Sequence, residues 1–290
     1  MCVDNLYKRL YANNKMNIRG ESFQKIADIY LGLPDDFLFN PKITEQIEKH
    51  QILTDIGIGG KYDNPSIVFV YPHHLRLFSE KIVFFANPFS LITHNSDVNI
   101  TRENPYVQKI IESPLLRYWW AQNLCFIHPK MRFLPIGFAN QMWEHGQIDY
   151  NQYSTSEKTR DIFLNFSVYT NVDERTNCLN AMEFRVEDRF LPVVSAKENI
   201  ERLAKYKWCV CPQGNGVDTH RLWEALALRC IPIVRKTPFI ETLMHYTNNE
   251  LPIIVVDDWW DSIEFLEYNL RETNYLKWLS MDWYTTSMVE

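Results

Sequence analysis

The fold is decided by residues 209–234, whose sequence is CVCPQGNGVDTHRLWEALALRCIPIV. The apolar run 206–211 ends at Pro212 and is typical of a strand buried in a parallel sheet. A second short apolar run, 231–234, predicts the next strand. A glycine-containing loop and a segment of helical spacing lie between the two runs. The stretch therefore predicts a strand, a loop, a helix and a strand, which is the repeating unit of an α/β protein.

The loop and the helix of this unit have the features of an anion-binding site. Gly214 and Gly216 allow a sharp turn and a close approach of a ligand to the backbone. Asp218 or Thr219 can cap a helix that ends near Arg229. Because free N–H groups and the helix dipole both point out of the first turn, this end of the helix favours an anion.

Three polar side chains, His220, Arg221 and Glu224, fall on one face of the predicted helix at about 100° per residue. Arg221 would supply a fork-shaped donor to a phosphate group. Glu224 lies one turn further along and could accept two hydrogen bonds from a ribose. This face predicts a site for a nucleotide diphosphate. The alternative is a capped helix with a solvated charged edge.

The composition indicates a globular protein. The 290 residues can form two domains of ordinary size or one large one, and 46% of them are hydrophobic. The net charge of −6 argues against nucleic acid as the main partner. The six cysteines are irregularly placed, which predicts no disulfide framework. Cys209 and Cys211 suggest metal binding, but the absence of a second pair at ligand spacing favours small residues in a buried strand.

The sequence predicts neither a signal peptide nor a membrane span. Its N-terminus lacks a basic segment followed by a long apolar run. No stretch approaches the about 20 apolar residues that a spanning helix requires. We therefore expect a soluble, cytoplasmic protein without a membrane segment.

Periodicity predicts the other elements. Helices are expected at residues 21–31, 43–51, 105–112, 115–123, 174–184, 196–205, 262–270 and 275–288. Strands are expected at residues 67–71, 82–86, 89–93, 124–127, 133–136, 162–166, 190–194 and 251–256. A flexible turn is expected at 57–60, and the polar segment 147–160 predicts a domain boundary.

Polar side chains follow the predicted strand 89–93 and the predicted strand 162–166. The first group is His94, Asn95, Ser96 and Asp97. The second lies in the loop 167–173 and the start of the next helix, and consists of Ser167, Thr170, Asn171 and Arg175. Open α/β sheets place ligands just beyond the carboxyl ends of their strands. Both groups are therefore candidate site residues, together with Trp143 and His145 in the aromatic loop 137–146.

The segment 213–226, QGNGVDTHRLWEAL, followed by CIPIV at 230–234, resembles the nucleotide-sugar motif of the exostosin-like glycosyltransferases. The resemblance continues upstream in RYWWAQN at 117–123, HPK at 128–130, LPIG at 134–137 and WEHG at 143–146. These motifs are similar to small stand-alone members found in algae and in large DNA viruses of algae, one of which is a xylosyltransferase acting on a surface glycan. The resemblance spans residues 66–260 approximately.

This resemblance implies a GT-B fold, in which two Rossmann-like domains face each other across a cleft. The acceptor domain would comprise residues 1–155 and the donor domain residues 156–270, with a C-terminal helix at 271–290 returning to the first domain. The implied reaction is an inverting transfer from a UDP-sugar, with UDP-xylose as the nearest analogue, to a glycan hydroxyl. It needs no metal or other cofactor, and in a viral protein it would take place in the host cytoplasm.

An inverting transfer needs a base for the acceptor hydroxyl and positive groups for the departing diphosphate. We expect Asp97 to be the base, with His94 and His145 as competitors and the His73–His74 pair as a weaker candidate. His94, Trp143 and His145 are expected to contact the acceptor, whereas Trp119 and Trp120 fit a sugar platform or a buried core equally well. The expected donor contacts are Ser167, Thr170, Arg175, Gly214, Asn215, Gly216, Asp218, Thr219, His220, Arg221 and Glu224.

Two other functions fit the same residues. A sugar-nucleotide hydrolase or epimerase on the same architecture would use the same phosphate and ribose contacts. A nucleotide- or glycan-binding protein without turnover would keep the donor contacts alone. The sequence leaves the donor sugar, the acceptor, the linkage and the oligomeric state open.

Overall fold

The chain is an α/β protein built on two parallel sheets. The computed structural model describes residues 18–38, 49–56, 64–186, 194–263, 265 and 274–289. The first sheet has the order β2-β1-β3-β4-β5-β6, formed by β1 (Ile29–Gly32), β2 (His50–Ile52), β3 (Ile67–Val70), β4 (Phe89–Thr93), β5 (Leu116–Ala121) and β6 (Met131–Phe133). The second has the order β10-β9-β8-β7, formed by β7 (Arg160–Phe163), β8 (Tyr206–Val210), β9 (Ile231–Arg235) and β10 (Ile254–Val256). All pairings within both sheets are parallel, which is compatible with a Rossmann-like fold.

Helices connect most of the strands. They are α1 (Gly20–Ile26), α2 (Pro34–Leu38), α3 (Leu75–Lys81), α4 (Pro105–Glu112), α5 (Val172–Met182), α6 (Ala196–Leu203), α7 (His220–Ala227), α8 (Pro238–Tyr246) and α9 (Met281–Val289). Helix α4 matches its predicted range, with Asn104 as its N-cap. Of the helices in the described residues, none is long and apolar enough to cross a membrane.

The strand order of the first sheet reverses direction between β1 and β3. The chain passes from β1 to the edge strand β2 and then returns to the other side of β1 to form β3. The loops that leave β1 and β3 therefore diverge, and the carboxyl ends of these two strands border a topological switch point. Open α/β sheets place ligands at such points.

Three predicted elements between residues 82 and 127 are wrong in type. Within the predicted helix 115–123, residues 116–121 form the strand β5; two consecutive exposed residues, Arg117 and Tyr118, interrupt the alternation that marks a half-buried strand. Residues 82–84 form a 3₁₀ turn that continues from α3, with Val83 exposed, rather than a strand. Residues 124–127 form no strand either, since Leu124 makes only an isolated bridge to Ile100.

The predicted helix 21–31 is correct only in its first half. Helix α1 ends at Ile26 and the chain then forms β1. The physical cause is Asp28, whose carboxylate accepts hydrogen bonds from the backbone N–H groups of Ser66 and Ile67 at 2.7 and 2.9 Å. These bonds align the next residues with β3. Of the predicted helix 43–51, residues 50–51 belong to β2 instead; the turn 57–60 and most of the elements 43–51, 190–194 and 262–270 lie outside the described residues.

Aromatic contacts join the two sheets. Phe133, at the end of β6, stacks on Trp223 of α7 with ring centroids 6.0 Å apart. In the C-terminal helix α9, Tyr284 packs edge-on against Phe23 of α1 at 5.2 Å. Trp119 is buried and donates its Nε1–H to Thr93 Oγ1 at 2.8 Å, and Trp120 is also buried. Both tryptophans therefore belong to the core rather than to a sugar platform.

Candidate functional site

A cavity of about 390 Å³ opens beyond the carboxyl ends of β4 and β5. The residues that follow β4 form one wall of it, and Gln122, directly after β5, lies on another side. His220, the first residue of α7, is the member contributed by the second half of the chain. The full lining is Gly20, His94, Asn95, Ser96, Asp97, Gln122, Ile136, Phe138, Asn140, Trp143, His145 and His220.

His94 is buried and fixed as a neutral imidazole. Its Nδ1 accepts the backbone N–H of Asn95 at 2.7 Å, and its Nε2 lies 2.9 Å from Pro135 O, to which it must donate. Burial lowers the pKa of His94 to about 4. Both ring nitrogens are therefore already committed to protein partners. This residue shapes the cavity wall and has no free nitrogen to receive a proton from a ligand.

Asp97 lies on the rim of the cavity and is exposed. The glycine loop of the second half comes close to it, since a Cβ added to Gly216 would lie 3.4 Å from Asp97 Cα. Asn123 holds the two segments together, because its Nδ2 donates to Ser96 O at 2.9 Å and its Oδ1 accepts the N–H of Asp218 at 3.2 Å. A carboxylate open to a ligand thus stands beside the predicted anion-binding loop.

Trp143 and His145 form the outer edge of the cavity. Their rings are nearly parallel, with centroids 6.5 Å apart, and Trp143 is 54% exposed. The loop that carries them is held by Arg19, whose Nη1 donates to Ala139 O and Gly146 O. A flat, exposed aromatic surface of this kind suits one face of a sugar ring.

The loop after β7 and the start of α5 contact the glycine loop. Arg175 donates from Nε to Gln213 O and from Nη1 to Ser167 O, both at 2.8 Å. Asn171 Nδ2 donates to Gly214 O at 2.9 Å. A Cβ on Gly214 would lie 3.1 Å from Arg175 Nη2, and it would meet Thr170 and Thr219 at 3.6 Å. The structure therefore brings together Ser167, Thr170, Arg175, Gly214 and Thr219.

Arg221 and Glu224 form a buried ion pair on α7. Arg221 Nε lies 3.2 Å from Glu224 Oε2, and Tyr150 Oη donates to Glu224 Oε1 at 3.1 Å. Burial alone would lower the pKa of Arg221, but the Glu224 carboxylate outweighs it and raises that pKa above its usual value. Glu224 is 7% exposed and each of its oxygens holds a protein donor, so a ribose would have to share them.

The two arginines are close enough to affect each other. Burial lowers the pKa of Arg175, and the positive charge of Arg221 lowers it further. Within the described residues, Arg175 forms no ion pair with a carboxylate; its hydrogen bonds go to backbone carbonyls. A guanidinium without an anionic partner next to a second guanidinium attracts an anion.

Asp218 is a buried residue whose carboxyl group links the two halves of the chain by hydrogen bonds. Its Oδ2 accepts the N–H of Ile136 at 2.7 Å, and its Oδ1 accepts Nε1–H of Trp223 at 2.9 Å. Burial raises its pKa to about 7 in spite of these donors. The residue is 2% exposed, so its carboxylate serves the packing of the loop and does not face the cavity. Asn215 by contrast is exposed at the tip of the loop.

His220, a predicted donor contact, bonds the start of α7 directly to the aromatic loop of the first half, since its Nδ1 lies 2.7 Å from Gly137 O. Three residues that shape the site are not among those predicted from the sequence: Asn123, Gln122 and Tyr150. Asn123 adopts a left-handed φ of 52°, and Gln122 is buried on the cavity wall. An amide pair directly after a strand is a signal that could have identified the latter two. Nothing local marked Tyr150, the partner of Glu224.

No family model matches the chain, and no curated protein matches it either.

Proposed function

We propose that the protein is a nucleotide-sugar-dependent glycosyltransferase with Asp97 as its base. The observation that carries the proposal is the sharing of one cavity by Asp97 and His220, the first residue of α7. The glycine loop before this helix passes close to Asp97 at Gly216. A carboxylate that can receive a proton and a helix end that can hold an anion thus open on the same space.

The donor diphosphate is proposed to bind along the loop 213–219. Backbone N–H groups of the loop, the start of α7 and the guanidinium of Arg175 supply positive charge there. Arg221 adds a second positive group close by. In this arrangement the arginines and the helix end stabilise the charge that grows on the departing diphosphate.

The acceptor is proposed to be a glycan hydroxyl in the cavity. Its oxygen forms a bond to the anomeric carbon as the bond from that carbon to the diphosphate oxygen breaks on the opposite face. The hydroxyl proton passes to Asp97, and the electron pair of the broken bond stays on the diphosphate. Trp143 and His145 would carry one face of the acceptor sugar.

The same geometry favours Asp97 over His94 as the base. His94 is buried with both nitrogens hydrogen-bonded and its pKa lowered to about 4. Asp97 is exposed on the rim. His145 remains the competitor, because it is exposed on the outer edge of the same cavity.

A GT-B arrangement of the two sheets is part of the proposal. The segments that follow β4, β5, β8 and β7 all lie near the cavity or the glycine loop, as expected of two sheets that present carboxyl edges to one cleft. A UDP-sugar such as UDP-xylose is the donor class proposed, because the resemblance of residues 213–226 to the nucleotide-sugar motif of the exostosin-like glycosyltransferases implies it.

A thermal-shift panel of UDP-, GDP- and other sugar nucleotides tests the donor site. A ligand present at about 100 times its Kd stabilises the folded state by ~2.7 kcal/mol. At about 2 °C per kcal/mol, the Tm should then rise by about 5 °C for one nucleotide class.

A matched pair of variants makes the panel specific. Glu224→Gln should reduce the shift, whereas Glu201→Gln should not. Glu201 accepts a tyrosine hydroxyl in the same way, from Tyr153 at 3.0 Å, but lies on α6 away from the glycine loop. If no sugar nucleotide raises the Tm, or if both variants lose the shift equally, the donor site is not where we place it.

A further inference from the structure

Three metal-capable side chains meet on the first sheet, outside the cavity described above. They are Asp36, His73 and His74, and one potential ligand atom from each lies within 4.8 Å of the others. Asp36 Oδ1 lies 2.9 Å from His73 Nε2, and Asp36 Oδ2 lies 2.5 Å from His74 Nε2. None of the three lines the cavity that holds Asp97.

The strand order explains how these residues meet. Asp36 lies in α2, directly after β1, and the two histidines lie in the 3₁₀ turn Pro72–His74, directly after β3. Strands β1 and β3 are neighbours, and they flank the point at which the strand order reverses. The cluster therefore stands where open α/β sheets place ligands, which is an observation independent of its composition.

The arrangement of the three side chains is better explained by a cation-binding role than by hydrogen bonding alone. Consecutive residues usually point apart, yet both imidazoles turn Nε2 towards one carboxylate, with ring centroids 4.1 Å apart. One carboxylate thus faces two imidazoles at ligand distances from one another.

We propose that Asp36, His73 and His74 form a binding site for a divalent transition-metal ion of the zinc type. Two imidazoles and one carboxylate are ligands that Zn²⁺ and Co²⁺ accept, whereas Mg²⁺ and Ca²⁺ prefer sites made of oxygen atoms alone. In this site Oδ2 of Asp36 keeps the N–H of Leu33 at 2.7 Å as an outer partner that orients the carboxylate. The side chain of His73 is 46% exposed, so solvent or a ligand completes the coordination.

The metal site is separate from the proposed transfer reaction but physically linked to the cavity wall. Gln24 receives a hydrogen bond from Asn95 Nδ2 at 3.4 Å and donates one to Tyr71 Oη at 3.5 Å, and the Tyr71 ring lies 5.5 Å from that of His73. An ion here would fix the loops beyond β1 and β3, at the side of the sheet next to the cavity.

Titration of the metal-free full chain with Co²⁺ and with Zn²⁺ tests the site. Visible absorption of Co²⁺ and calorimetry of Zn²⁺ should both give one ion per chain. His74→Ala and Asp36→Asn should each weaken binding by more than about 100-fold, the upper range for loss of an outer partner alone. His245→Ala is the matched control, since His245 is an exposed histidine on α8, and it should bind as the wild type does.

Unchanged Zn²⁺ affinity in His74→Ala and Asp36→Asn would overturn the proposal, and so would equal loss in His245→Ala. If Asp36→Asn does not fold, the exposed His73→Ala serves in its place, with folding checked by circular dichroism. The sugar-nucleotide thermal shift should persist in all these variants. Failure of the metal site and failure of the transferase proposal are thereby distinguishable.

Discussion

The buried carboxylate of Asp218 should make the stability of this protein depend on pH. It is 2% exposed and receives hydrogen bonds from Ile136 N–H and Trp223 Nε1–H. Burial is the largest influence on it and raises its pKa from 3.8 to about 7. The folded state therefore holds a proton on Asp218 over a pH range in which the unfolded chain has released it.

Because the pKa of Asp218 is raised on folding, the free energy of unfolding should fall as the pH rises. A pKa raised on folding contributes stability that is complete below the unfolded pKa and is lost as the pH rises through the folded pKa. Between about pH 5 and about pH 8 most of that loss takes place. Since each pKa unit corresponds to about 1.4 kcal/mol, Asp218 should reduce the free energy of unfolding by about 2–3 kcal/mol over this interval.

Urea unfolding of the wild type and Asp218→Asn at about pH 5 and about pH 8 isolates this contribution. The wild type must be compared with the variant because His94 changes the free energy of unfolding with pH in the opposite direction. Burial lowers its pKa from 6.5 to about 4, so its contribution is lost as the pH falls. Asp173→Asn, at an exposed position in the first turn of α5, is the control and should keep the wild-type pH dependence.

If wild type and Asp218→Asn lose or gain stability in parallel between the two pH values, Asp218 does not carry a raised pKa. The carboxylate would then be ionised in the folded state, and its burial between the two halves would have to be compensated in another way.

Three further predictions concern single contacts. Gly137→Ala should lower the free energy of unfolding by ~2 kcal/mol or more, because Gly137 has a φ of +66° and the new Cβ would lie 2.1 Å from Ile18 O; a urea titration showing under about 0.5 kcal/mol would contradict this close approach. Tyr150→Phe removes the donor to Glu224 Oε1 and should destabilise the fold by ~1–3 kcal/mol in the same assay, so unchanged stability would contradict the bond. Arg175→Gln should weaken pyrophosphate binding in calorimetry by about 10-fold or more, and equal affinity in wild type and variant would contradict a role of Arg175 in anion binding.

The elements that could be predicted from sequence are those with strong local signals. Residues 105–112 have a Pro at the first helical position and an Asn cap, and 206–211 is an apolar run closed by Pro212. Strand β5 is not recognisable as a strand because the consecutive exposed residues Arg117 and Tyr118 break the alternation of buried and exposed positions. The break after Ile26 depends on Asp28 bonding to Ser66 and Ile67, a contact that no local pattern contains.

In the candidate site, too, local signals are visible in the sequence and contacts between distant residues are not. The polar residues after β4 were visible because they follow an apolar run directly, and the structure places His94 and Asp97 on one cavity. The bonds that shape that cavity join residues far apart in sequence. Asn123 to Asp218, Ile136 to Asp218 and Tyr150 to Glu224 span 95, 82 and 74 residues. Their existence depends on how the two sheets pack, which periodicity and spacing do not specify.

The most direct test of the proposed two-sided site is the effect of Asp97→Asn on turnover and on donor binding, measured on the same preparation. The rate of sugar transfer from the donor found in the thermal-shift panel should fall by ~100-fold or more, the usual contribution of a general base. The Kd of that donor, measured by calorimetry, should stay within about twofold, because Asp97 belongs to the acceptor side of the cavity. Asp149→Asn, an exposed carboxylate away from the cavity, should leave both values unchanged. Transfer at the wild-type rate by Asp97→Asn would contradict the assignment of Asp97 as the base.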